Sequence, residues 1–164
     1  MALRRHVRRL QRARRASRAA RAGHDLLAKA TGDTIEIGAG TGLNLTHYPP
    51  AVTRLALIEP DAYMSRRLRR RAAQLGRDAE ILDATADQLP FPDASFDTAV
   101  VSFTVCSVPD EQAALSEITR VLAPGGLLLF FEHWRAAEGS EDRKDHDRGR
   151  CPQACYRLTA RRDR

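Results

Sequence analysis

The hydrophobic pattern of the chain switches between two periods, one typical of buried strands and one typical of amphipathic helices. Strands are predicted for five short apolar runs, which are Thr34–Ile37, Arg54–Glu59, Ala79–Leu82, Asp97–Val105 and Leu127–Glu132. Helices are predicted for Asp61–Leu75, where apolar residues recur every three or four positions, and from Pro109 to Leu122, with Arg120 facing solvent. Strands that alternate with helices predict a parallel α/β sheet with right-handed crossovers.

The two ends of the chain differ from this central pattern. Residues 1–22 contain nine arginines and no acidic residue, and residues 3–22 predict a helix because no Gly or Pro interrupts good helix formers. After Trp134 the apolar pattern stops, and residues 135–164 are polar and predict a mobile tail. We therefore divide the chain into a basic N-terminal helix (1–22), a folded domain (23–134) and a tail (135–164).

Composition narrows the class of protein. With 164 residues, 43% of them hydrophobic, the chain is long enough for one domain with a real core. No apolar run approaches the 20 or so residues of a membrane-spanning helix, and no apolar stretch of a secretory signal follows the first arginines. Three cysteines cannot form a disulfide framework, so we expect a reducing, cytoplasmic environment.

A glycine-rich turn directly after the first strand carries the strongest functional signal. Gly38, Gly40 and Gly42 allow the backbone to approach a ligand closely. The spacing is not that of a dinucleotide fingerprint, whose third Gly would stand at position 43, and no P-loop Lys follows. Glu36 before the turn suits an ammonium group, and Glu59 at the end of the second strand can accept both hydroxyls of a ribose. A nucleoside with a cationic tail is expected, and S-adenosylmethionine fits.

Five segments in fixed order now identify a family. They are EIGAGTGLNL (36–45), IEPD (58–61), LPFPDASFD (89–97), VCSVPD (105–110) and RVLAPGGLLLFFEH (120–133). With these motifs the chain resembles the class I S-adenosylmethionine-dependent methyltransferases. Within that class it is similar to the small methyltransferase-like proteins that include alkyl-thiol methyltransferases. The resemblance covers residues 24–134 and is far more specific for the class than for a substrate.

The resemblance implies a cofactor site, position by position. The implied cofactor-binding residues are Glu36, Gly38, Ala39, Gly40, Glu59, Pro60, Asp61, Thr85, Ala86 and Ser102. In this set the glycine turn lies against the methionine moiety, Glu36 supports its amino group, and Glu59 holds the ribose. Pro60 and Asp61 line the adenosine, and Ser102 lies near the transferred methyl. Many relatives have an Asp toward the adenine amine where this chain has Thr85, so Thr85 or a backbone carbonyl must substitute.

The resemblance also implies a Rossmann-like open parallel sheet with strand order 3-2-1-4-5. Family members have two more strands after the fifth, and we expect both to be missing here because no strand pair can be written into residues 135–164. We interpret this as a natural truncation or a reading-frame shift. Strand five, with its apolar run from Leu127 to Phe131, would then lie at the sheet edge and offer a surface for oligomers.

The chemistry predicted for such a site is in-line methyl transfer to a small-molecule acceptor, with a thiol as a candidate. An acceptor that must lose a proton needs a general base, and His47, Glu132 and His133 are candidates, none of them assigned as catalytic. The alternative function is a cofactor-binding remnant without methyltransferase activity, whose basic arm contacts nucleic acid or an anionic surface.

Two other features carry weaker signals. Cys151 and Cys155, with His146 nearby, lack the second ligand pair of a typical zinc site, so no metal is expected. The basic arm, residues 4–21, has no aromatic residue for base stacking, and nucleic acid is therefore not the expected partner. We interpret the arm as a solvated helix that caps the cofactor pocket.

Overall fold

The computed structural model describes residues 23–102, 104, 108–131 and, for the backbone, 153–157. The strands are β1 (Gly32–Ile37), β2 (Val52–Ile58), β3 (Glu80–Leu82), β4 (Phe96–Ser102), β5 (Leu122–Phe131) and β6 (Gln153–Arg157). The helices are α1 (Ala62–Gln74) and α2 (Glu111–Val121), with a 3₁₀ helix at Leu43–Thr46 and a helical segment at 23–27. The predicted N-terminal helix over residues 3–22 lies outside the described residues.

Five parallel strands form the sheet in the predicted order. Strand β1 lies between β2 and β4, with Ile35 in register with Ala56 on one side and with Ala99 on the other. Strand β3 pairs with β2, and β5 pairs with β4, all of them parallel. The order 3-2-1-4-5 is therefore confirmed, and the carboxyl ends of all five strands lie at one edge of the sheet.

The expectation that strand five lies at the edge of the sheet is wrong. Strand β6 pairs antiparallel with β5, and Leu129 lies opposite Cys155 in a six-stranded sheet. The prediction missed β6 because its five residues, QACYR, contain no large aliphatic and no β-branched residue. Backbone hydrogen bonding of a ladder does not depend on such side chains, so a segment without them can still cover an apolar edge strand. This removes the exposed edge on which the expected oligomer depended.

Apolar side chains of the sheet form a core on each of its two faces. One face packs Ile35, Ile37 and Val101 against the buried residues Ala114, Ile118 and Val121 of α2. The other face packs Leu57, Val100 and Leu129 against Leu68 and Ala72 of α1 and against Leu26 and Leu27 of the helical segment. The near-continuous apolar runs of the central strands follow from this burial on both faces.

The helices α1 and α2 each follow an aspartate whose side chain caps them. Asp61 accepts a hydrogen bond from the backbone N–H of Met64 at 2.8 Å, and Asp110 accepts one from Ala113 at 2.9 Å. Both bonds satisfy a backbone donor that has no partner in the first helical turn. Because Asp61 is the cap and α1 itself begins at Ala62, the predicted start of that helix was one residue early.

Arg120 is not the solvent-facing residue that the helical pattern predicted. Its guanidinium donates to the carbonyl oxygens of Phe91 and Leu89, at 2.8 and 3.0 Å. It also pairs with the carboxylates of Glu117 and Asp93. These bonds raise the pKa of Arg120 above its usual range, chiefly through Glu117. One planar side chain therefore ties the segment before β4 to helix α2.

The variants Gly42→Ala and Gly76→Ala separate packing from backbone strain. Both glycines have positive φ, +78° and +60°, so both substitutions carry the same kind of strain. A Cβ at Gly42 would lie 2.7 Å from the buried Leu45 and Leu68, whereas one at Gly76 meets nothing within 4 Å. We expect Gly42→Ala to be less stable than Gly76→Ala by about 1–3 kcal/mol, measured by denaturant unfolding. Equal stability would show that the core relaxes around the added methyl group.

Candidate functional site

The glycine turn predicted from the sequence follows β1 and is built from three residues of left-handed backbone. Gly38, Gly40 and Gly42 have φ of +72°, +57° and +78°. A Cβ at Gly38 would lie 2.1 Å from Oγ1 of Thr104, so the backbone there is packed against a side chain. A Cβ at Gly40 would meet nothing within 4 Å, so the same turn faces open space two residues later. The turn therefore has two glycines, Gly38 and Gly42, that lie against packed side chains, and one, Gly40, whose open side faces a cavity.

Glu59 connects this turn to the end of β2. Its carboxylate accepts hydrogen bonds from the backbone N–H groups of Gly40 at 2.8 Å and of Asp61 at 2.9 Å. The residue is only 5% exposed. A carboxylate oxygen can accept more than one hydrogen bond, so the side chain keeps acceptor capacity for a hydroxyl group. Glu59 therefore shapes the turn, and its contact with a ligand stays a prediction.

Glu36 lies at the end of β1 and is 1% exposed. Its carboxylate accepts hydrogen bonds from Asn44 Nδ2 at 2.6 Å and from Tyr48 Oη at 2.7 Å. Burial raises the pKa of Glu36, and the bonds from Tyr48 and Asn44 offset only part of that effect. Asn44 also donates to Ser102 Oγ at 3.2 Å, which connects the ends of β1 and β4.

Asn44 and Tyr48 are site residues that the sequence reasoning missed. Both lie just beyond the glycine turn, Asn44 on the 3₁₀ helix and Tyr48 two residues after its end. Burial, followed by the neighbouring charge and hydrogen bond of Glu36, raises the pKa of Tyr48 well above its usual range. A signal was present in the sequence, since a carboxylate buried at the end of a strand requires donors nearby.

These elements enclose a cavity of about 370 Å³. Five of the predicted cofactor residues line it, namely Glu36, Gly38, Ala39, Gly40 and Ser102. The remaining lining residues are Gly23, His24, Leu26, Leu27, Thr41, Leu43, Asn44, His47 and Val100. The structure thus brings the residues predicted for the methionine moiety and the transferred methyl group into one cavity.

Glu59, predicted for the ribose, and the residues predicted for the adenosine do not line this cavity. Pro60 and Asp61 are exposed beside Glu59, and Thr85 is exposed after β3. Ala86 is 6% exposed and its side chain belongs to the core on the α2 face, which leaves only its backbone for a ligand. Their assignment to the adenosine stays a prediction.

Of the three candidate bases, His47 lines the cavity, whereas Glu132 and His133 lie outside the described residues. In the described ranges no group of three or more His, Cys, Asp or Glu side chains could hold a metal ion. The side chains of Cys151, Cys155 and His146 lie outside those ranges. No helix among the described residues is long and apolar enough to cross a membrane.

Known proteins resemble this chain in sequence and in fold. Residues 35–130 match a family model described as a methyltransferase domain. The chain is 33% identical over 109 residues to human thiol S-methyltransferase TMT1B, covering 65% of this chain and 44% of that protein. It is 34% identical over 110 residues to phosphatidylethanolamine N-methyltransferase of Cereibacter sphaeroides, covering 66% and 54%. A solved SAM-dependent methyltransferase of Thermotoga maritima matches with a TM-score of 0.53 and 31% identity, covering 73% of this chain and 53% of that one.

Because the family model matches more than half of the chain, the protein belongs to the methyltransferase domain family. The match confirms the predicted class, that of S-adenosylmethionine-dependent methyltransferases with a Rossmann-like sheet. The similarity to thiol methyltransferases is confirmed as well. The chain spans about half the length of the curated relatives it matches.

The variants Gly40→Ala and Gly76→Ala test whether the open side of the turn is the ligand side. Both glycines have positive φ and open space around a Cβ, so we expect equal losses of stability. Only Gly40 lines the cavity, so only Gly40→Ala should weaken S-adenosylmethionine binding, and Gly40→Val should abolish it. Calorimetric titration measures the affinity. Equal affinity of the two alanine variants would show that the ligand does not approach this turn.

The variant Glu36→Gln tests the electrostatic cost of the buried carboxylate. Its amide can accept from Asn44 and donate to Tyr48 but carries no charge. Because burial raises the folded-state pKa of Glu36, the folded protein binds the proton more tightly than the unfolded chain does. The wild type therefore loses stability as pH rises from 4.5 through the raised folded-state pKa.

Glu36→Gln lacks this loss of stability. The difference between its melting temperature and that of the wild type should therefore increase in favour of the variant as pH rises through that range. Thermal melts of both proteins across the pH range measure the difference. A difference that is constant with pH would mean that Glu36 is not buried in charged form.

Proposed function

We propose that this protein binds S-adenosylmethionine and transfers its methyl group to a small apolar acceptor, with a thiol as the preferred class. The observation that carries the proposal is the burial of the Glu36 carboxyl group, which is 1% exposed at the wall of the cavity. Its hydrogen-bond partners, Asn44 and Tyr48, are both neutral, and no ion pair reaches it among the described residues. A buried carboxylate without a counter-charge is costly, and a cationic ligand in the adjoining cavity would supply that charge.

The shape of the cavity supports the same ligand. The open side of Gly40 leaves room for a group to lie against the backbone, and Glu36 lies at the same cavity wall. S-adenosylmethionine carries an ammonium group for Glu36 and a ribose whose hydroxyls suit the remaining acceptor capacity of Glu59. Pro60, Asp61, Thr85 and the backbone of Ala86 would border the adenosine beyond the cavity. Ser102, tied to Asn44, would lie near the methyl group.

The chemistry required of the protein is modest. The cofactor supplies an activated methyl group with a neutral leaving group, so the protein mainly aligns the acceptor in line with the bond that breaks. The rigid floor formed by Glu36, Asn44 and Ser102 serves that alignment, because each side chain is fixed by at least one hydrogen bond. Leu26, Leu27 and Leu43 keep the acceptor end apolar, which favours displacement over competing reactions with water.

Two observations bear on the class of methyl acceptor, namely the names of the relatives and the side chains that line the cavity. One relative is named for thiol methylation and another for methylation of the amine of phosphatidylethanolamine. An amine acceptor carries a positive charge before reaction and favours an acidic or polar wall. The three leucines at this end of the cavity favour a neutral, apolar acceptor instead.

Two measurements on the full chain test the proposal. Calorimetric titration with S-adenosylmethionine tests the cofactor site, and a tritiated-methyl transfer assay compares apolar thiols with ethanolamine-type amines. We expect binding and transfer to thiols. Binding without transfer to any acceptor would support the alternative of a cofactor-binding remnant. Transfer to amines alone would contradict the thiol assignment and keep the cofactor site.

The variant Glu59→Ala should weaken S-adenosylmethionine binding by about 1.5–3 kcal/mol, the scale of a hydrogen bond to a charged group. It should also lower the melting temperature, because the N–H groups of Gly40 and Asp61 lose their acceptor. Glu80→Ala is the matched control, since this carboxylate on β3 pairs with Arg54 at the surface. If both variants bind the cofactor like the wild type, Glu59 does not contact it.

A further inference from the structure

Part of the wall of the cavity is apolar. Leu26 and Leu27 of the helical segment and Leu43 of the 3₁₀ helix line it. The first two are buried, at 5% and 3% exposure, whereas Leu43 is 66% exposed. A large apolar side chain left open at a cavity wall, next to two that are buried, is suited to contact an apolar ligand.

Two imidazole rings in contact with each other also line the cavity. His24 and His47 both line it, with ring centroids 5.3 Å apart in an edge-to-face arrangement of 83°. His24 Nδ1 lies 3.7 Å from a carboxylate oxygen of Asp25. An apolar wall with two imidazoles fits an apolar ligand that carries one acidic hydrogen.

His47 is the better placed of the two to receive that proton. Its backbone N–H donates to the carbonyl oxygen of Asn44 at 2.8 Å, and Asn44 is itself bonded to Glu36 on the floor of the cavity. Among the described residues its ring contacts His24 but makes no hydrogen bond, which leaves a ring nitrogen for a ligand. His24, by contrast, is engaged with Asp25.

We propose that His47 is the general base that takes the proton of an apolar thiol bound in this cavity, and that His24 is a positioning residue for its ring. This inference rests on the proposed function. The S–H bond breaks and its proton moves to a ring nitrogen of His47. The sulfur forms a bond to the methyl carbon while the methyl–sulfonium bond breaks, and that electron pair stays on the cofactor sulfur as a neutral thioether. His47 then releases its proton to solvent, to which it is exposed.

The titratable groups around His47 come from three elements. His24 faces it from the helical segment, with Asp25 beside His24. Glu36 faces the same cavity from β1, and Tyr48 is held to Glu36 by its hydroxyl. A neutral imidazole nitrogen accepts a proton, so histidine is a common general base.

The test compares the wild type, His47→Gln and His24→Gln on two apolar thiols. One is an alkyl thiol whose pKa an adjacent electron-withdrawing ester group lowers to about 8.5, the value of a cysteine side chain, and the other is an electron-poor aryl thiol that is already ionised at pH 7. His47→Gln should lower kcat/KM for the alkyl thiol by about 30-fold at pH 7, since about one thirtieth of it is ionised there. The aryl thiol, which needs no base, should react almost as before. His24→Gln should produce a smaller loss, confined to the alkyl thiol.

The pH dependence of the rate distinguishes a general base from a residue that is needed only for the structure. For the alkyl thiol, the wild-type rate should depend less steeply on pH than the rate of His47→Gln, because the base takes the proton within the complex. In His47→Gln the rate should keep rising to about pH 8.5, where the thiol ionises in solution. Thermal melts should show unchanged folding, because His47 is exposed.

A measurement without turnover completes the test. In the complex with S-adenosylhomocysteine, the ring-proton NMR signals that His47→Gln removes should shift when the alkyl thiol is added, because the S–H group then contacts the imidazole ring. Equal losses on both thiols, an unchanged pH profile in the variant, or an unmoved signal would overturn the role of His47. A wild type that binds S-adenosylmethionine but methylates neither thiol would overturn the proposed function instead, before any variant is compared.

Discussion

The site depends on one buried carboxylate that binds the backbone at two places. Glu59 follows β2, and its side chain accepts the N–H groups of Gly40 and Asp61, which lie beyond two neighbouring strands. Its own N–H donates to the carbonyl oxygen of Leu82 on β3 at 3.1 Å. The ends of three parallel strands are therefore joined through a single residue. Because Glu59 binds the backbone N–H of Gly40, the open side of the glycine turn stays toward the cavity.

Much of this arrangement could be predicted because it follows from short-range patterns. The five parallel strands have apolar runs long enough to be buried on both faces, and their order follows from the crossover rule and the family motifs. The aspartates at positions 61 and 110 mark helix starts in the sequence and cap those helices in the structure. The glycines after β1 predicted a ligand turn, although the sequence could not show that Gly38 serves packing and Gly40 serves the cavity.

What could not be predicted depends on contacts between residues far apart in the chain. The helical pattern places Arg120 on a face whose side chains are usually solvated. Its partners, the carbonyl oxygens of Leu89 and Phe91, come beside it only when the chain folds. Strand β6 forms through backbone pairing with β5, and the chain between the two carries no strand pattern. Asn44 and Tyr48 became identifiable only once Glu36 was known to be buried.

The burial of Glu36 has a consequence for the lifetime of the protein in a cell. A carboxylate that is buried without a counter-charge lowers the stability of the ligand-free fold, and a bound cation restores it. Any ligand that binds only the folded state protects it from unfolding in proportion to its concentration. Proteases act on the unfolded fraction, so turnover would slow when the methyl donor is plentiful and quicken when it is scarce. The abundance of this protein would then follow the supply of methyl donor without any dedicated regulator.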